Sequence, residues 1–69
     1  MKKNILARYQ ACVFYNNSEQ VLDFRFFDTL KEAKSFSKFL LKNNKNTFAL
    51  INKLDKQTQS YETISKLSA

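Results

Sequence analysis

Lysine is the residue type whose spacing could do chemistry in this chain. Lys31, Lys34, Lys38, Lys42 and Lys45, here called the lysine stripe, recur at intervals of three, four, four and three residues. On an α-helix these intervals place the five ammonium groups along one side, where neighbouring like charges repel each other. A stripe of this kind can follow the phosphates of a nucleic acid and release counterions as it binds. The alternative interpretation is a solvated helix surface.

A second candidate surface is the outward face of a hairpin predicted below. Arginine and glutamine can bind base edges, and a two-stranded ribbon fits the major groove, so Arg8, Gln10 and Arg25 are candidate nucleic-acid contacts. Phe14 and Phe27 fall on the same predicted face and could stack on bases or contact a protein. The alternatives are ion pairs of the arginines with neighbouring carboxylates, and coverage of the phenylalanines by the C-terminal tail.

Phe39 is a third candidate, because it lies to one side of the predicted apolar face of the helix. A half-exposed phenylalanine can anchor a protein interface or a homodimer. The alternative is that it packs at the edge of the core, against the tail.

Composition excludes most catalytic chemistry. The 69 residues include no histidine, no glycine and one cysteine. Imidazole bases, histidine-ligated metals, phosphate-cradling loops and an internal disulfide are therefore absent. Cys12 is predicted to face Asp23, whose charge would raise the thiol pKa, and to be structural. The carboxylates mostly fall at turns and helix caps. We expect no enzymatic activity, no metal, no cofactor and no small-molecule substrate.

The charge balance suits an anionic partner. Twelve Lys and Arg against six Asp and Glu give a formal net charge of +6 and a pI near 9.7. Such a charge favours nucleic acid or an acidic protein surface, although it also serves solubility. Residues 1–4 are followed by no apolar signal segment, so we expect a cytoplasmic protein with a reduced thiol. No apolar run approaches the roughly 18 residues that span a membrane.

The elements that position these residues follow from hydrophobic periodicity. Residues 5–15 and 20–27 alternate as two strands joined by a turn at 16–19. With Tyr15 opposite Gln20, the inward pairs are Val13 with Leu22, Ala11 with Phe24 and Tyr9 with Phe26. The outward pairs are Phe14 with Val21, Cys12 with Asp23, Gln10 with Arg25 and Arg8 with Phe27.

A helix follows the hairpin. Thr29 and Glu32 form a capping box, and the helix is predicted to end near Asn43, before an Asn-rich segment that can adopt a left-handed cap. Its apolar face comprises Leu30, Ala33, Phe36, Leu40 and Leu41. Residues 47–54 predict a third, more central strand, because both of its sides are apolar. From Ser60 the tail fits a strand or a short helix, and the strand is favoured.

These elements predict one α+β domain over residues 1–69, with a single helix on one face of a small antiparallel sheet. The leading functional hypothesis is nucleic-acid binding by the lysine stripe or the Arg-rich sheet face, which would lie on different sides of the domain. The alternative is a protein-binding inhibitor or adaptor, such as a phage or mobile-element product that acts on a host or defence protein. It would use Phe14, Phe27, Phe39 and the sheet edge as anchors.

Overall fold

The chain folds as four strands and one helix. The structure, a computed structural model, describes residues 7–18 and 20–68. Along the chain the elements are β1 (Tyr9–Tyr15), β2 (Val21–Phe27), α1 (Leu30–Asn43), β3 (Thr47–Asp55) and β4 (Ser60–Ser68). The strands pair antiparallel in the order β2-β1-β3-β4. The predicted α+β architecture is confirmed, including the central place of β3 and the strand at the tail.

Polar side chains set both ends of α1. The Thr29 hydroxyl accepts a hydrogen bond from the Glu32 N–H at 3.2 Å and donates to Glu32 Oε1 at 3.1 Å. Glu32 therefore bonds the capping hydroxyl, whereas a full capping box would bond the Thr29 N–H. At the other end, the C-cap residue Asn44 has extended backbone, and its Nδ2 donates to the Leu40 carbonyl at 2.9 Å. The left-handed residue of this segment is Asn46, with a φ of 60°, two positions beyond the cap. Lys45 thus lies in the connection after the helix, so its predicted place on α1 is wrong.

No helix in the described parts of the chain combines the length and apolar character that crossing a bilayer requires.

Small side chains line the contact between the helix and the two central strands. Ala11, Ala33 and Ala49 are fully buried, and their lack of bulk lets α1 lie close to β1 and β3. Larger apolar side chains surround this contact, among them Leu22, Phe27, Leu30, Phe36, Leu40 and Leu67. The predicted apolar face of the helix is confirmed. Ser37 joins it, fully buried, because its hydroxyl donates to the Ala33 carbonyl at 2.9 Å.

The predicted hairpin forms, but β1 begins at Tyr9 and most of the predicted register is wrong. Residues 5 and 6 of the predicted first strand lie outside the described residues. Near the turn Phe14 pairs with Val21, as expected; beyond it Val13 pairs with Asp23, Ala11 with Arg25 and Tyr9 with Phe27. Leu22 is the extra residue of a β-bulge at this point. A shift of one residue exchanges the two faces of the rest of the strand. The bulge therefore turns Phe24 and Phe26 away from the helix and brings Arg25 and Phe27 to the helix side.

Packing on the helix side accounts for this register. Leu22 contacts the cluster of Val13, Leu41 and Ala49. The Phe27 ring lies 5.4 Å from the Phe36 ring between centroids, and the Arg25 guanidinium carbon lies 5.4 Å from the same Phe36 centroid. Because of the bulge, β2 packs the branched side chain of Leu22 and the aromatic side chain of Phe27 against the helix layer.

Candidate functional site

The sheet face opposite α1 is not covered by any other element of the described residues, and we call it the aromatic face. Strand pairing arranges its residues in four rows: Val21–Phe14–Phe48–Ser68, Phe24–Cys12–Leu50–Lys66, Phe26–Gln10–Asn52–Thr63, and Leu54–Tyr61. Cross-strand neighbours in such rows have Cβ atoms about 5 Å apart. Side chains in one row can therefore act together.

Three aromatic side chains form a cluster at one end of this face. Phe24 and Phe26 are 52% and 50% exposed; their centroids lie 6.0 Å apart and their rings are nearly perpendicular. Phe26 also lies 5.8 Å from the Tyr61 ring, and the Tyr61 hydroxyl donates to the Ala7 carbonyl at 2.6 Å. This hydrogen bond anchors Tyr61, which supports Phe26 while much of the phenyl surface stays accessible.

A second aromatic pair occupies the other end. Phe14 and Phe48 stack with centroids 5.2 Å apart and an interplanar angle of 18°. Lys66 Nζ lies 4.9 Å from the Phe48 centroid, a cation–π distance. Lys66 is the charged side chain of the four rows, and it is positive.

A line of polar side chains, here called the polar ladder, crosses the third row. The Thr63 hydroxyl donates to Asn52 Oδ1 at 2.6 Å, and Asn52 Nδ2 donates to Gln10 Oε1 at 2.9 Å. Gln10 pairs directly with Phe26 across the strands. The ladder therefore places an amide beside an exposed phenylalanine.

Negative charge lies away from the aromatic face. Of the five carboxylates in the described residues, Asp23, Asp55 and Glu62 occupy strand positions on the helix side, while Asp28 and Glu32 flank the helix start. Asp23 pairs with Arg25, Nε to Oδ2, at 3.8 Å. Both of these side chains are well exposed, so the pair adds little stability. The rows of the aromatic face therefore carry no negative charge, and Lys66 places a positive charge at the β4 margin.

The lysine stripe runs along the flank of α1 that faces β4. Lys31, Lys34, Lys38 and Lys42 lie on the helix, as predicted. Lys38 and Lys42 line a groove with Leu67 and Ser68. Lys66, adjacent to Leu67, projects from the opposite face of the same strand. The stripe and the aromatic face are on different sides of the domain, and they approach each other at the β4 edge.

The proposed Arg-rich sheet face does not form. Gln10 and Phe14 lie on the aromatic face, whereas Arg25 and Phe27 lie on the helix side, because of the bulge at Leu22. Arg8 is exposed beside β1, where its carbonyl accepts from the Leu54 N–H at 2.8 Å. Phe39 is 63% exposed on α1, so its packing at the core edge is excluded.

Sequence reasoning missed Phe24, Phe26, Phe48, Tyr61, Asn52, Thr63 and Lys66 as site residues. One signal was available for β3. Ala49 and Ile51 mark the side against which a helix packs closely, so Phe48, Leu50 and Asn52 must occupy the other side. In β2 the alternation of Leu22, Phe24 and Phe26 with the charged Asp23 and Arg25 predicted the opposite facing.

Cys12 lies near the centre of the aromatic face. It is half-buried and pairs with Phe24 and Leu50, so its predicted position opposite Asp23 is wrong. Burial raises the pKa of the Cys12 thiol, because an apolar environment disfavours the thiolate. Within the described segments, His, Cys, Asp and Glu side chains form no group of three that could bind a metal ion.

Comparison with known proteins adds no assignment to this geometry. No protein family, no curated protein sequence and no solved structure matches the chain.

Proposed function

We propose that the aromatic face binds single-stranded nucleic acid. The observation that carries this proposal is the pair Phe24 and Phe26, half exposed on a sheet face whose rows contain a lysine and no carboxylate. An aromatic ring that accepts a base contributes about 1–3 kcal/mol per base. Bases of a duplex are hidden in the stack, so this contribution is available to a single strand.

The charge distribution suits the phosphates of such a strand. The second row crosses all four strands from Phe24 to Lys66, a span of about 14 Å at the usual separation of strands. A strand stacked on Phe24 and Phe26 would reach Lys66 along this row. Beyond the β4 edge it would meet Lys42 and Lys38, which flank Leu67. In this arrangement the lysine stripe acts as a continuation of the aromatic face.

The salt dependence of the binding constant measures the electrostatic part of the affinity. Each phosphate neutralised on a single strand contributes about −0.7 to the slope of log K against log salt. Contacts from Lys38, Lys42 and Lys66 therefore predict a slope of about −2. Stacking on phenylalanine is uncharged, so a part of the affinity should persist at high salt.

Fluorescence anisotropy with a labelled oligonucleotide of about ten residues, within the site sizes of small single-strand binders, tests the proposal. The single strand should bind more tightly than the same sequence annealed into a duplex. Lys66→Glu should weaken binding, and Lys56→Glu is the matched control, because Lys56 lies in the β3–β4 turn. Equal affinity for duplex and single strand, or equal effects of the two charge reversals, would contradict the proposal.

Phe39 favours a second candidate function, the binding of a protein. At 63% exposure it resembles the aromatic anchors of protein interfaces, and it lies on the helix, across the domain from the aromatic face. The partner class would be a host or defence protein on which a phage or mobile-element inhibitor or adaptor acts. Affinity capture from the native host should recover a stoichiometric protein with the wild type and lose it with Phe39→Asp. Recovery of nucleic acid without protein would count against this function.

A further inference from the structure

The hydrogen bonds of the polar ladder are all donated in the same direction along the row, so Gln10, at its end, keeps its own donor groups. Thr63 donates to Asn52, and Asn52 donates to Gln10 Oε1. The carbonyl oxygen of the Gln10 side chain is thus engaged by a donor. Among the described residues none accepts a hydrogen bond from Gln10 Nε2, and Gln10 is half-buried. Within this part of the chain the ladder therefore ends in two N–H groups that have no protein acceptor.

These N–H groups lie next to a stacking surface. Gln10 and Phe26 form a direct cross-strand pair, so their Cβ atoms lie about 5 Å apart. A planar base stacked on Phe26 would bring its edge towards Gln10 Nε2. A base gains binding free energy if this edge presents an acceptor to Gln10 Nε2. It loses binding free energy if the edge presents only a donor, because a donor without a partner must give up its bond to water.

Bases differ in what they present at this edge. Uracil, thymine and guanine carry a carbonyl oxygen where cytosine and adenine carry an amino group. A free glutamine side chain binds adenine through one donor and one acceptor. In this protein the acceptor is already engaged by Asn52, so the adenine and cytosine amino groups find a poorer partner.

We infer that Gln10 gives the aromatic face a preference for keto bases, with uracil or thymine as the pyrimidine of choice. This inference rests on the proposed function, since it concerns the bases of the same single strand. Gln10 acts here as a specificity-determining residue, and Asn52 and Thr63 orient its amide. A single net hydrogen bond between neutral groups predicts a preference of about 2- to 10-fold per contacted base.

Oligo(dU) and oligo(dC) of equal length test the inference, because uracil and cytosine carry O and NH₂ respectively at C4. Wild type should bind oligo(dU) more tightly by about 2- to 10-fold. Gln10→Leu should retain binding and equalise the two affinities. Gln57→Leu makes the same substitution in the β3–β4 turn, is the matched control and should keep the preference. Gln10→Glu should reverse it, because a carboxylate accepts from the cytosine amino group.

The outcomes separate this inference from the proposed function. Equal affinities in the wild type, a preference for oligo(dC), or a preference that survives in Gln10→Leu would overturn the inference, while single-strand binding itself would stand. Failure of both oligonucleotides to bind would overturn the inference and the proposed function together.

Discussion

Replacement of Phe26 by alanine is the perturbation that the proposed function predicts most specifically. Phe26 is half exposed, so one part of its ring contacts Phe24 and Tyr61 and the other part is available to a base. Loss of one base–aromatic stack removes about 1–3 kcal/mol of binding free energy. Affinity for a single strand should therefore fall by about 5- to 150-fold.

The same substitution also affects folding, because aromatic pairs contribute about 0.5–1.5 kcal/mol each beyond their buried area. Urea unfolding of Phe26→Ala should show this loss of stability. Phe26→Leu is the second variant, since it keeps apolar bulk on the strand and removes the aromatic ring. Its affinity should also fall, whereas Phe26→Tyr should bind nearly as the wild type does.

The assay is fluorescence anisotropy at low salt with a labelled single strand, and circular dichroism establishes that each variant is folded. Phe39→Ala is the matched control, because it removes an exposed phenylalanine from α1, on the other side of the sheet. It should leave affinity unchanged. A folded Phe26→Leu variant with wild-type affinity, or equal losses in Phe26→Ala and Phe39→Ala, would refute the stacking argument.

Three further predictions concern charge, thiol reactivity and packing. Lys42→Gln should make the slope of log K against log salt shallower by about 0.7, while Lys31→Gln, at the far end of the stripe, should leave that slope unchanged. Affinities measured at several salt concentrations give both slopes. Equal slopes for the two variants would exclude the path over β4. Because burial raises the pKa of Cys12, less thiolate is present at pH 8, and iodoacetamide should alkylate the folded protein more slowly than the urea-unfolded chain. A bound single strand should slow the alkylation of the folded protein further. An alkylation rate that the strand does not change would contradict contact at this face. Ile51→Ala, at a fully buried position, should lower the free energy of unfolding by about 2–5 kcal/mol, with Ile64→Ala at an exposed position as the control; equal losses in urea melts would contradict the proposed core.

The fold could be predicted because local signals agreed with one another. Thr29 with Glu32 marks the helix start, and the Asn-rich segment after Asn43 marks its end. Alternation marked the strands, and apolar residues on both sides of residues 47–54 indicated a central strand. At the tail, alternation allowed a strand or a helix, and pairing with β3 decides for the strand.

The hairpin register could not be predicted because the alternation in β2 favours the wrong face. Leu22, Phe24 and Phe26 are apolar and alternate with the charged Asp23 and Arg25, so without the bulge the first set is the one suited to a core. The choice is made by the helix, which packs against Leu22 and Phe27. This tertiary contact leaves no periodic signal in residues 20–27.

The candidate site was predicted only in part for the same reason. Gln10 and Phe14 keep their expected face, since the register near the turn is unchanged and β1 keeps its orientation. Arg25 and Phe27 follow β2 to the helix side. The polar ladder joins residues up to 42 positions apart in the chain, so it depends on the pairing of β1 with β3 and was not visible in the sequence.

Amide chemical-shift mapping with a single-stranded oligonucleotide tests the central claim most directly. The largest shifts should occur at Gln10, Cys12, Phe24 and Phe26, and the amides of Ala33 and Ser37, on the buried side of α1, should change little. Shifts confined to α1, or a spectrum unchanged at saturating oligonucleotide, would contradict the assignment of the aromatic face as the binding surface.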